Sequence, residues 1–355
     1  MRRQRILFLY NEVMGYLLAG IHSFHLQHPD IEIHLFENDE KKLTPFHFQV
    51  NYIKYYKKSA FNKWNVFQNK CTEINPDLLI VSGRMNTHYL KIAKQFKKKI
   101  YTVSIQDTQF DNSLRTKFKC ILSSILYKQY FDGIWTVGQY GVLLATKLGY
   151  SKNNIFNNAL SADDRIFNIS NQASVISRDK VILYVGRFAK EKNLHNLVNV
   201  FDEVNKRHNN SWKLLLIGNG DNQFSNLLTN NFEIHPFQQP ESLVRLVEHA
   251  SVFCLPSYIE PWGLVVHEMA KLGKILLISN KCGSVSEFLI DGFNGLSFDP
   301  HNIFDWKEKM DYIFSLNEDD KIRYRVNSIS LSKRITSEIW AAQLFSIFSN
   351  NLGNK

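Results

Sequence analysis

Two glutamates stand eight positions apart in the stretch EPWGLVVHE, at Glu260 and Glu268. Proline suits the first turn of a helix, because its missing N–H leaves no hydrogen bond unmade there. The stretch therefore predicts a helix over 262–272 that follows an apolar strand. Glu260 would lie at or before its N-terminus, beside the unpaired backbone N–H groups of Gly263 and Leu264, and Glu268 would lie over a turn inside.

The spacing of these two carboxylates suits a ligand that has hydroxyl groups at both ends. If every residue between them were helical, they would lie roughly 12 Å apart along the helix axis. That distance resembles the span from the sugar to the ribose of a nucleotide-sugar, with the diphosphate at the positive end of the helix. Carboxylates accept hydrogen bonds from hydroxyls. The spacing alone favours the competing interpretation, which is a capping acid followed by an exposed helix glutamate.

A glycine followed by cations comes directly after an apolar strand in GRFAKEKN. Gly186 allows a sharp turn and the close approach of a ligand to the backbone. Arg187 and Lys192 would then present a guanidinium and an ammonium at the end of the strand, where they can stabilise the charge that develops on a departing diphosphate. The alternative is a basic loop with a solvated charge run at 190–192.

Two further glycine-containing stretches, GNGDNQ at 218–223 and GSVSEF at 283–288, belong to the same series. The first predicts a tight turn from a strand to a helix, which a ligand site and a plain turn explain equally well. In the second, Gly283 and Ser284 would offer backbone N–H groups to a phosphate or a sugar. Glu287 is interpreted as an acid of a first helical turn rather than as a ligand contact.

These stretches lie within a regular alternation of short apolar runs and helical patterns, which predicts βαβ units and parallel sheets covered on both faces. The first half contains strand candidates at 5–10, 31–37, 77–83, 99–106 and 133–138. A second series follows at 180–188, 212–220, 232–237, 252–257, 274–280 and 295–300. Helical patterns include 89–96, 194–208 and 243–250. The fold class is therefore α/β, with ligands expected at the carboxyl ends of two sheets that face each other across a cleft.

The chain has 355 residues, which suits two domains. We expect a Rossmann-like domain over 1–167, a polar linker over 168–179 and a second Rossmann-like domain over 180–334. The closing segment 335–355 is predicted to be a helix that can pack back on the first domain.

Composition narrows the range of partners. A net charge of +10 points to an anionic partner, and nucleic acid ranks last because the chain has no zinc-finger or RRM motif. Four scattered cysteines without C-x-x-C spacing fit a reducing compartment and argue against a zinc site or a disulfide scaffold. Because no apolar run approaches the length of a membrane span, we expect a cytoplasmic protein.

The stretches YVGRFAKEKN, LLLIGNGDN, EPWGLVVHE and GSVSEFLIDGFNGLSF stand in the order and spacing of the C-terminal domain of family-4 retaining glycosyltransferases, which have the GT-B fold. The resemblance is specific over about 180–300. It is looser in the first half, where YNEVMGY and QDTQFDNSLR are similar to bacterial members that build surface polysaccharides. The resemblance implies a metal-independent transferase of the hexosyl type with no cofactor. Its co-substrate would be a UDP-linked sugar, and its acceptor a glycan on a lipid carrier, in surface polysaccharide or lipopolysaccharide synthesis.

The resemblance also implies that the domain over 1–167 binds the acceptor and that the domain over 180–334 binds the nucleotide-sugar donor. It implies roles for individual residues as well. Arg187 and Lys192 bind the donor diphosphate, and Glu260 holds the transferred sugar. Glu268 holds the ribose, while the backbone of 263–264 faces the sugar-phosphate. A non-catalytic nucleotide-sugar-binding subunit with the same fold is the alternative, against which the presence of all four side chains argues. An NAD-linked dehydrogenase is a second alternative, but YNEVMGY lacks the glycines that bind a dinucleotide phosphate.

The chain departs from the family pattern at several positions. Asn193 stands where glycine is frequent, and the loop after the first strand has only Gly15 where many members have a glycine-rich turn. A histidine often seen in the active-site loop of the first domain is not evident, and Gln106 and Asp107 lie in that region. Gly15 and Asp107 are therefore the candidates on the acceptor side.

A stretch at 51–70 mixes aromatic residues with lysines. Its apolar residues fall on one predicted helical stripe: Ile53, Tyr56, Ala60, Trp64 and Phe67. Such a face, with a second basic and apolar stretch at 115–131, would suit peripheral attachment to the anionic inner face of the cytoplasmic membrane. The alternative is that ordinary helices pack on the first sheet and leave their lysines in water.

Overall fold

The structure, a computed structural model of the chain, describes residues 2–39, 48, 50–84, 86–108, 123–169, 179–221 and 231–352. The chain forms two compact units, here called the first unit (Met1–Ser161 with Ser337–Lys355) and the second unit (Ala162–Thr336). Residues 162–167, predicted to lie in the first domain, thus belong to the second unit. Residues 170–178 of the predicted linker lie outside the described residues.

The first unit contains a seven-stranded parallel sheet. Its strands are β1 (Arg5–Tyr10), β2 (Glu32–Glu37), β3 (Ile53–Lys57), β4 (Leu78–Ser82), β5 (Tyr101–Ile105), β6 (Gly133–Trp135) and β7 (Ile155–Phe156). They lie in the order β3-β2-β1-β4-β5-β6-β7. The direction of winding therefore reverses between β1 and β4, and ligands bind at such a reversal in open parallel sheets.

The second unit contains a six-stranded parallel sheet. Its strands are β8 (Asp179–Val185), β9 (Lys213–Ile217), β10 (Phe232–His235), β11 (Ala250–Leu255), β12 (Ile275–Ser279) and β13 (Gly295–Phe298). The order is β10-β9-β8-β11-β12-β13, so the winding reverses between β8 and β11. Every residue of β11 and β12 is buried, as expected for central strands that helices cover on both faces.

Eleven helices have bounds within the described residues. They are α1 (Gly15–Gln27), α2 (Trp64–Ile74), α3 (Thr87–Phe96), α4 (Gly138–Lys147), α5 (Leu194–Arg207), α6 (Pro240–Leu246), α7 (Leu264–Lys271), α8 (Val285–Phe288), α9 (Ile303–Ser315), α10 (Glu318–Ser332) and α11 (Ser337–Ser349). Helix α6 ends at Leu246, four residues before the end of the predicted helix, because the chain enters β11 at Ala250.

The closing helix α11 packs against α1 in the first unit. Trp340 is fully buried there, and its indole Nε1–H donates to the carbonyl of Ala159 at 2.9 Å. Its ring lies against Gly20, where an added Cβ would approach a ring carbon to 2.4 Å. Gly20 therefore provides the space that the indole ring of Trp340 fills.

The prediction of one helical stripe over 51–70 is wrong. Residues 53–57 form the edge strand β3, which pairs with β2, and α2 begins only at Trp64. Ile53 and Phe67 are buried, and Tyr56 and Trp64 pack against the core of the first unit. The β-branched and aromatic residues of IKYYK favour a strand, and tertiary pairing outweighed the apparent helical period. Four of the five stripe residues therefore pack in or against the core of the first unit, and only Ala60 is exposed.

None of the described helices is both long enough and apolar enough to cross a bilayer.

Candidate active site

The loops after β8 and β9 join at the carboxyl edge of the second sheet. The N–H of Gly186 donates to the carbonyl of Ile217 at 3.0 Å, and the N–H of Phe188 donates to the carbonyl of Asn219 at 2.8 Å. A Cβ at Gly218 would lie 1.9 Å from the carbonyl oxygen of Gly186, so only glycine permits this approach. The glycines of GNGDNQ therefore bring the two loops together, and the helix predicted after them lies outside the described residues.

The loops after β11 and β12 are joined in the same way. The N–H of Glu260 donates to the carbonyl of Lys281 at 3.2 Å, and the N–H of Gly283 donates back to the carbonyl of Glu260 at 3.1 Å. The N–H of Ser284 donates to the carbonyl of Trp262 at 2.9 Å. The prediction that Gly283 and Ser284 offer these N–H groups to a phosphate or sugar is therefore wrong, because the loop after β11 takes both of them.

Lys192 and Glu260 form an ion pair where the winding of the second sheet reverses. Their side chains are only 11% and 14% exposed, and the Ser257 hydroxyl contacts the same carboxylate oxygen at 3.4 Å. The N–H of Tyr258 donates to the carbonyl of Glu191 at 2.9 Å and ties the loop after β11 to the loop after β8. The two charges from distant sequence stretches thus meet in a largely enclosed place, where charge–charge interactions are stronger than in water.

Arg187 lies at the end of β8 but is held far less firmly than Lys192. Its side chain is 62% exposed, and its guanidinium pairs with Glu191 at 3.3 Å. Beneath it the Tyr184 hydroxyl, which is fully buried, donates to the carbonyl of Arg187 at 2.8 Å. Burial and then the neighbouring Glu260 raise the pKa of Tyr184. Tyr184 therefore supports the turn at Gly186 and stays a neutral hydrogen-bond donor.

Helix α7 begins at Leu264 rather than at the predicted Trp262. The residues between the two glutamates are therefore not all helical, and the separation calculated for an unbroken helix does not apply. Gly263 precedes the helix with a φ of +79°, a left-handed conformation that glycine adopts readily. A Cβ at Gly263 would lie 2.9 Å from the Cγ atom of Glu260, so Glu260 packs directly against this position. Among the described residues, the N–H groups of Gly263 and Leu264 donate to no protein acceptor. Glu260 thus lies beside free first-turn N–H groups, as predicted, although the turn before the helix differs.

Glu268 occupies the second turn of α7, and only part of its side chain reaches the surface. Removal of the carboxyl group from water raises the pKa of Glu268 to about 7, and the charge of Asp163 adds to this effect. Asp163 itself is buried and receives two hydrogen bonds from the Arg165 guanidinium, at 2.9 and 2.6 Å. The guanidinium of Arg165 neutralises Asp163, which limits the repulsion between the two carboxylates.

His267 anchors α7 from its buried side. Its Nδ1 accepts from the N–H of Ala162 at 3.1 Å, and its Nε2–H therefore donates to the carbonyl of Ser332 at 2.8 Å. Burial, with a smaller effect of Lys271, lowers the pKa of His267 to about 3. The imidazole is therefore neutral, and it fixes the backbone position from which Glu268 projects.

The two acceptor-side candidates lie at the carboxyl edge of the first sheet, where its winding reverses. Gly15 begins α1 directly after the loop that follows β1, and the exposed Asp107 follows β5. Burial, and then the charge of Asp107, raises the pKa of Tyr16, the neighbour of Gly15. The adjacent Gln106 is buried, and its Oε1 accepts from the Tyr127 hydroxyl at 2.9 Å.

Residues 166–327 match the family described as Glycosyl transferases group 1. The second unit is a domain of that family. An uncharacterized glycosyltransferase of Methanocaldococcus jannaschii is 27% identical over 150 residues, which cover 40% of this chain and 37% of the relative. The chain therefore matches little more than a third of the length of that relative, and about 31% of a glycogen synthase from Mycobacterium tuberculosis.

Other relatives match over more of the length of this chain. A second uncharacterized glycosyltransferase of Methanocaldococcus jannaschii is 22% identical over 351 residues, covering 93% of both chains. An uncharacterized 41.2 kDa protein in the cps region of Klebsiella pneumoniae is 29% identical over 243 residues, covering 61% of this chain and 65% of that protein.

Solved structures share the fold over nearly the whole chain. Sucrose-phosphate synthase from Thermosynechococcus elongatus has a TM-score of 0.74 at 14% identity, covering 98% of this chain and 99% of its own. HepE of Anabaena, in complex with UDP and glucose, has a TM-score of 0.72 at 14% identity, with 98% and 100% covered. The lipopolysaccharide outer core galactosyltransferase WaaB has a TM-score of 0.66 at 18% identity, with 98% and 100% covered. The fold of this chain is therefore two Rossmann-like domains of the GT-B type.

Several residues of the candidate site stand in no sequence motif. Tyr184 lies within an apolar strand, Ser257 follows a strand without a motif, and His267 stands between apolar helix positions. Asp163 lies about a hundred positions before Glu268 in sequence. Only His267 gave a local signal, since a histidine between Val266 and the buried Met269 must find partners inside the protein.

Proposed function

We propose that the protein is a retaining glycosyltransferase that moves a sugar from a nucleotide-sugar donor, UDP-linked, to a glycan acceptor on a lipid carrier. The product belongs to bacterial surface polysaccharide or lipopolysaccharide synthesis. The observation that carries the proposal is the enclosed pair of Lys192 and Glu260 beside the free N–H groups of Gly263 and Leu264. Together they offer a cation, first-turn donors and a hydroxyl acceptor to one ligand.

The donor diphosphate would lie between the loop after β8 and the start of α7. Lys192, with the N–H groups of Gly263 and Leu264, would bind the phosphate oxygens, and Arg187 would reach over them from the exposed side. The positive end of the α7 dipole favours the same anion. Because the partial charges of these N–H groups are fixed before the reaction, they stabilise the growing negative charge without reorganisation.

The two glutamates would then bind hydroxyls of the same donor. In the absence of donor, Lys192 neutralises Glu260, and a diphosphate would draw the ammonium toward itself and release the carboxylate for the sugar. Glu268 would accept from the ribose hydroxyls one turn into α7. The raised pKa of Glu268 implies that this carboxyl group becomes a full acceptor only near and above neutral pH.

In the proposed reaction, the oxygen of an acceptor hydroxyl bonds to the anomeric carbon on the face from which the diphosphate departs. The bond between that carbon and the phosphate oxygen breaks, and its electron pair stays on the phosphate. A phosphate oxygen takes the proton of the hydroxyl, so the protein need not supply a base. Retention is adopted from the family resemblance, and no carboxylate at the site is assigned as a covalent nucleophile.

The titles of similar proteins support the choice of donor and acceptor. The HepE structure contains UDP and glucose, WaaB is a lipopolysaccharide galactosyltransferase, and the Klebsiella pneumoniae relative is encoded in a cps region. Each of these statements concerns the relative and enters here as support alone. UDP is therefore the first nucleotide to test.

A surface of the first unit suits the membrane where a lipid-linked acceptor would reside. Residues 123–128 are helical, and Ile125 and Leu126 on this helix are 76% and 51% exposed. Arg84 lies over the Tyr127 ring at 4.9 Å, and Lys128 is exposed beside the same apolar pair. The remainder of the predicted basic stretch, 115–122, lies outside the described residues. Exposed apolar side chains with cations beside them favour binding to the surface of an anionic bilayer.

A panel of nucleotide-sugars tests the proposal directly. Binding by calorimetry and release of nucleoside diphosphate should select one donor, and NMR of the product should give the retained anomeric configuration. Lys192→Ala should lower turnover by about 10²-fold or more, whereas Lys190→Ala, which changes an exposed lysine two positions away, should leave it unchanged. Donor binding without transfer or hydrolysis would instead identify a non-catalytic binding subunit, and no binding to any nucleotide-sugar would refute the proposal.

A further inference from the structure

Asn193 connects three separate loops at the carboxyl edge of the second sheet. It is 4% exposed, and its side-chain Nδ2 lies 3.3 Å from the carbonyl oxygen of Pro256 and 3.4 Å from that of Pro300. Pro256 directly follows β11 and Pro300 lies two residues after β13. Because both partners are carbonyl oxygens, which only accept, the nitrogen of the amide must face them.

The backbone at Asn193 is also unusual. Its φ is +59° and its ψ is +33°, a left-handed conformation that ends the turn of Lys190–Lys192 and starts α5. Asparagine tolerates this conformation better than most residues, and glycine tolerates it best. Glycine would satisfy the backbone but could not hold the two carbonyl groups. The position therefore uses both the backbone and the amide of asparagine.

Tyr258 reinforces the same connection at three points. Its N–H donates to the carbonyl of Glu191 at 2.9 Å, and its hydroxyl accepts from the Asn196 side chain at 2.9 Å. Its ring stacks on His301, with the ring centroids 5.0 Å apart. We call the assembly of 191–196, 256–258 and 300–301 the three-loop clasp. It joins the segments after β8, β11 and β13.

We propose that Asn193 is a positioning residue that, through the three-loop clasp, sets Lys192 against Glu260. Lys192 is the residue before Asn193, and Glu260 stands four positions after Pro256, so one side-chain amide fixes the backbone on both sides of the ion pair. Lysine has a long, flexible stem, so its position depends on how firmly its backbone is held. Asn193 itself would touch no substrate.

Two substitutions separate the amide from the backbone. Asn193→Gly keeps the left-handed conformation and removes both hydrogen bonds, leaving two buried carbonyl groups without this donor. Asn193→Asp keeps the shape and places carboxylate oxygens opposite the carbonyl oxygens. The matched control is Asn209→Gly, because Asn209 has a φ of +55° and an exposed side chain outside the clasp.

Hydrogen exchange of the Tyr258 amide tests the clasp without reference to activity. Because that N–H donates across the clasp, its exchange should become at least about tenfold faster in Asn193→Gly, and faster again in Asn193→Asp. Asn209→Gly should leave it unchanged. Equal exchange in the wild type and in Asn193→Gly would overturn the clasp.

The link to the ion pair rests on the proposed function and is tested by a double-mutant cycle. Asn193→Gly should lower kcat for donor turnover about tenfold with little change in the Kd for nucleoside diphosphate, and it should cost less than about twofold once Lys192 is already alanine. Full additivity of the two substitutions would overturn the positioning role. A wild-type protein that turns over no donor would refute the proposed function, and the exchange measurement would still decide the clasp.

Discussion

The carboxyl edges of the two sheets are built differently. In the second unit, neighbouring loops exchange backbone hydrogen bonds across the edge, and a lysine meets a glutamate at the reversal of winding. In the first unit, the same edge carries Glu12, Asp107 and the hydroxyls of the buried Tyr10 and the half-buried Tyr16. Among the described residues, the edge of the second unit offers cations and N–H donors around Glu260, whereas the edge of the first unit offers carboxylate and phenolic oxygen atoms.

This difference matches two different ligands. An anionic diphosphate needs fixed donors and cations, and these must be rigid to act on developing charge. A sugar acceptor is neutral and presents hydroxyl donors, for which carboxylates and phenolic oxygens are suitable acceptors. We therefore infer that the second unit is specialised for the leaving group and the first for hydroxyl groups. Substitutions in the two units should then fail in different ways.

The largest effect should come from the enclosed cation of the second unit. Lys192→Ala should lower kcat/KM by about 10²-fold or more, because it removes a charge-assisted contact and leaves Glu260 without its partner. Arg187→Ala should cost only about tenfold, since its side chain is 62% exposed and solvent weakens its interaction. Steady-state turnover of the selected nucleotide-sugar measures both variants. Equal losses would mean that exposure does not set the contribution of each cation.

The next effect concerns the two glutamates. Glu268→Gln should weaken donor and free nucleoside diphosphate alike by roughly 1–3 kcal/mol, as expected for a lost hydrogen bond to a charged group. Glu260→Gln should slow transfer while leaving affinity for the free nucleoside diphosphate nearly intact. Calorimetric titration of both variants with UDP makes the comparison. If Glu260→Gln lost UDP as severely as Glu268→Gln, the division between sugar and ribose would be mistaken.

The pKa of Glu268 adds a pH dependence to that measurement. Between pH 6 and 8 this carboxyl group loses its proton in the folded protein, so wild-type affinity for UDP should rise by up to about tenfold. The UDP phosphate itself ionises near a pH of about 6, which also changes affinity. Glu268→Gln is the control, because it lacks the ionisation of Glu268 and retains that of the phosphate. Identical pH profiles for the two proteins would contradict the role of Glu268.

The same pKa predicts how folding stability varies with pH. Because burial raises the pKa of Glu268 from 4.5 to about 7, its contribution is most favourable below about pH 4.5 and is lost as pH rises through 7. Relative to the wild type, Glu268→Gln should therefore gain on the order of 2 kcal/mol in free energy of unfolding between pH 5 and 8. Urea unfolding across that range measures the difference. An unchanged difference would show that the carboxyl group is solvated in the folded protein.

Much of the second unit could be predicted from sequence because its signals are local. The apolar run before Gly186 and the glycines of GNGDNQ predict strand ends within a few residues of those found. Glu260 and Lys192 were assigned from motifs 68 positions apart, and the fold brings them into contact. What local patterns could not supply is the use of each N–H group: Gly283 and Ser284 look free in sequence but donate to the neighbouring loop.

The first unit was harder to predict for a physical reason. In 51–70, aromatic and β-branched residues occur at intervals that fit a helix, but residues 53–57 pair with β2 as the edge strand of the sheet. Whether a short run becomes a strand depends on a partner that is distant in sequence, which periodicity does not include. The surroundings of Glu268 could not be predicted for the same reason, since Asp163 and Ala162 lie near α7 but about a hundred positions before it in sequence.

On the acceptor side we expect a smaller effect of a different kind. Asp107→Asn should raise the KM for the glycan acceptor about tenfold, because an amide accepts hydroxyl hydrogen bonds less strongly than a carboxylate. Donor affinity and slow donor hydrolysis should remain unchanged. Asp30→Asn, which removes an exposed carboxylate elsewhere in the first unit, is the control. A loss of nucleotide affinity in Asp107→Asn would break the division of labour between the two edges.

The smallest effect should distinguish the two basic stretches of the first unit. Lys57→Gln with Lys63→Gln should reduce binding to anionic vesicles by only a few-fold, since the apolar residues beside them pack into the core and only long-range attraction is lost. Lys58 is excluded from this variant because it is buried.

Ile125→Ser with Leu126→Ser should reduce vesicle binding by about tenfold or more, because these exposed side chains would enter the bilayer interface. Sedimentation with vesicles of anionic and of neutral lipid measures both variants, and UDP binding confirms that the second unit is intact. If the lysine variant lost more binding than the serine variant, charge alone would explain the attraction, and the helix at 123–128 would be an ordinary exposed surface.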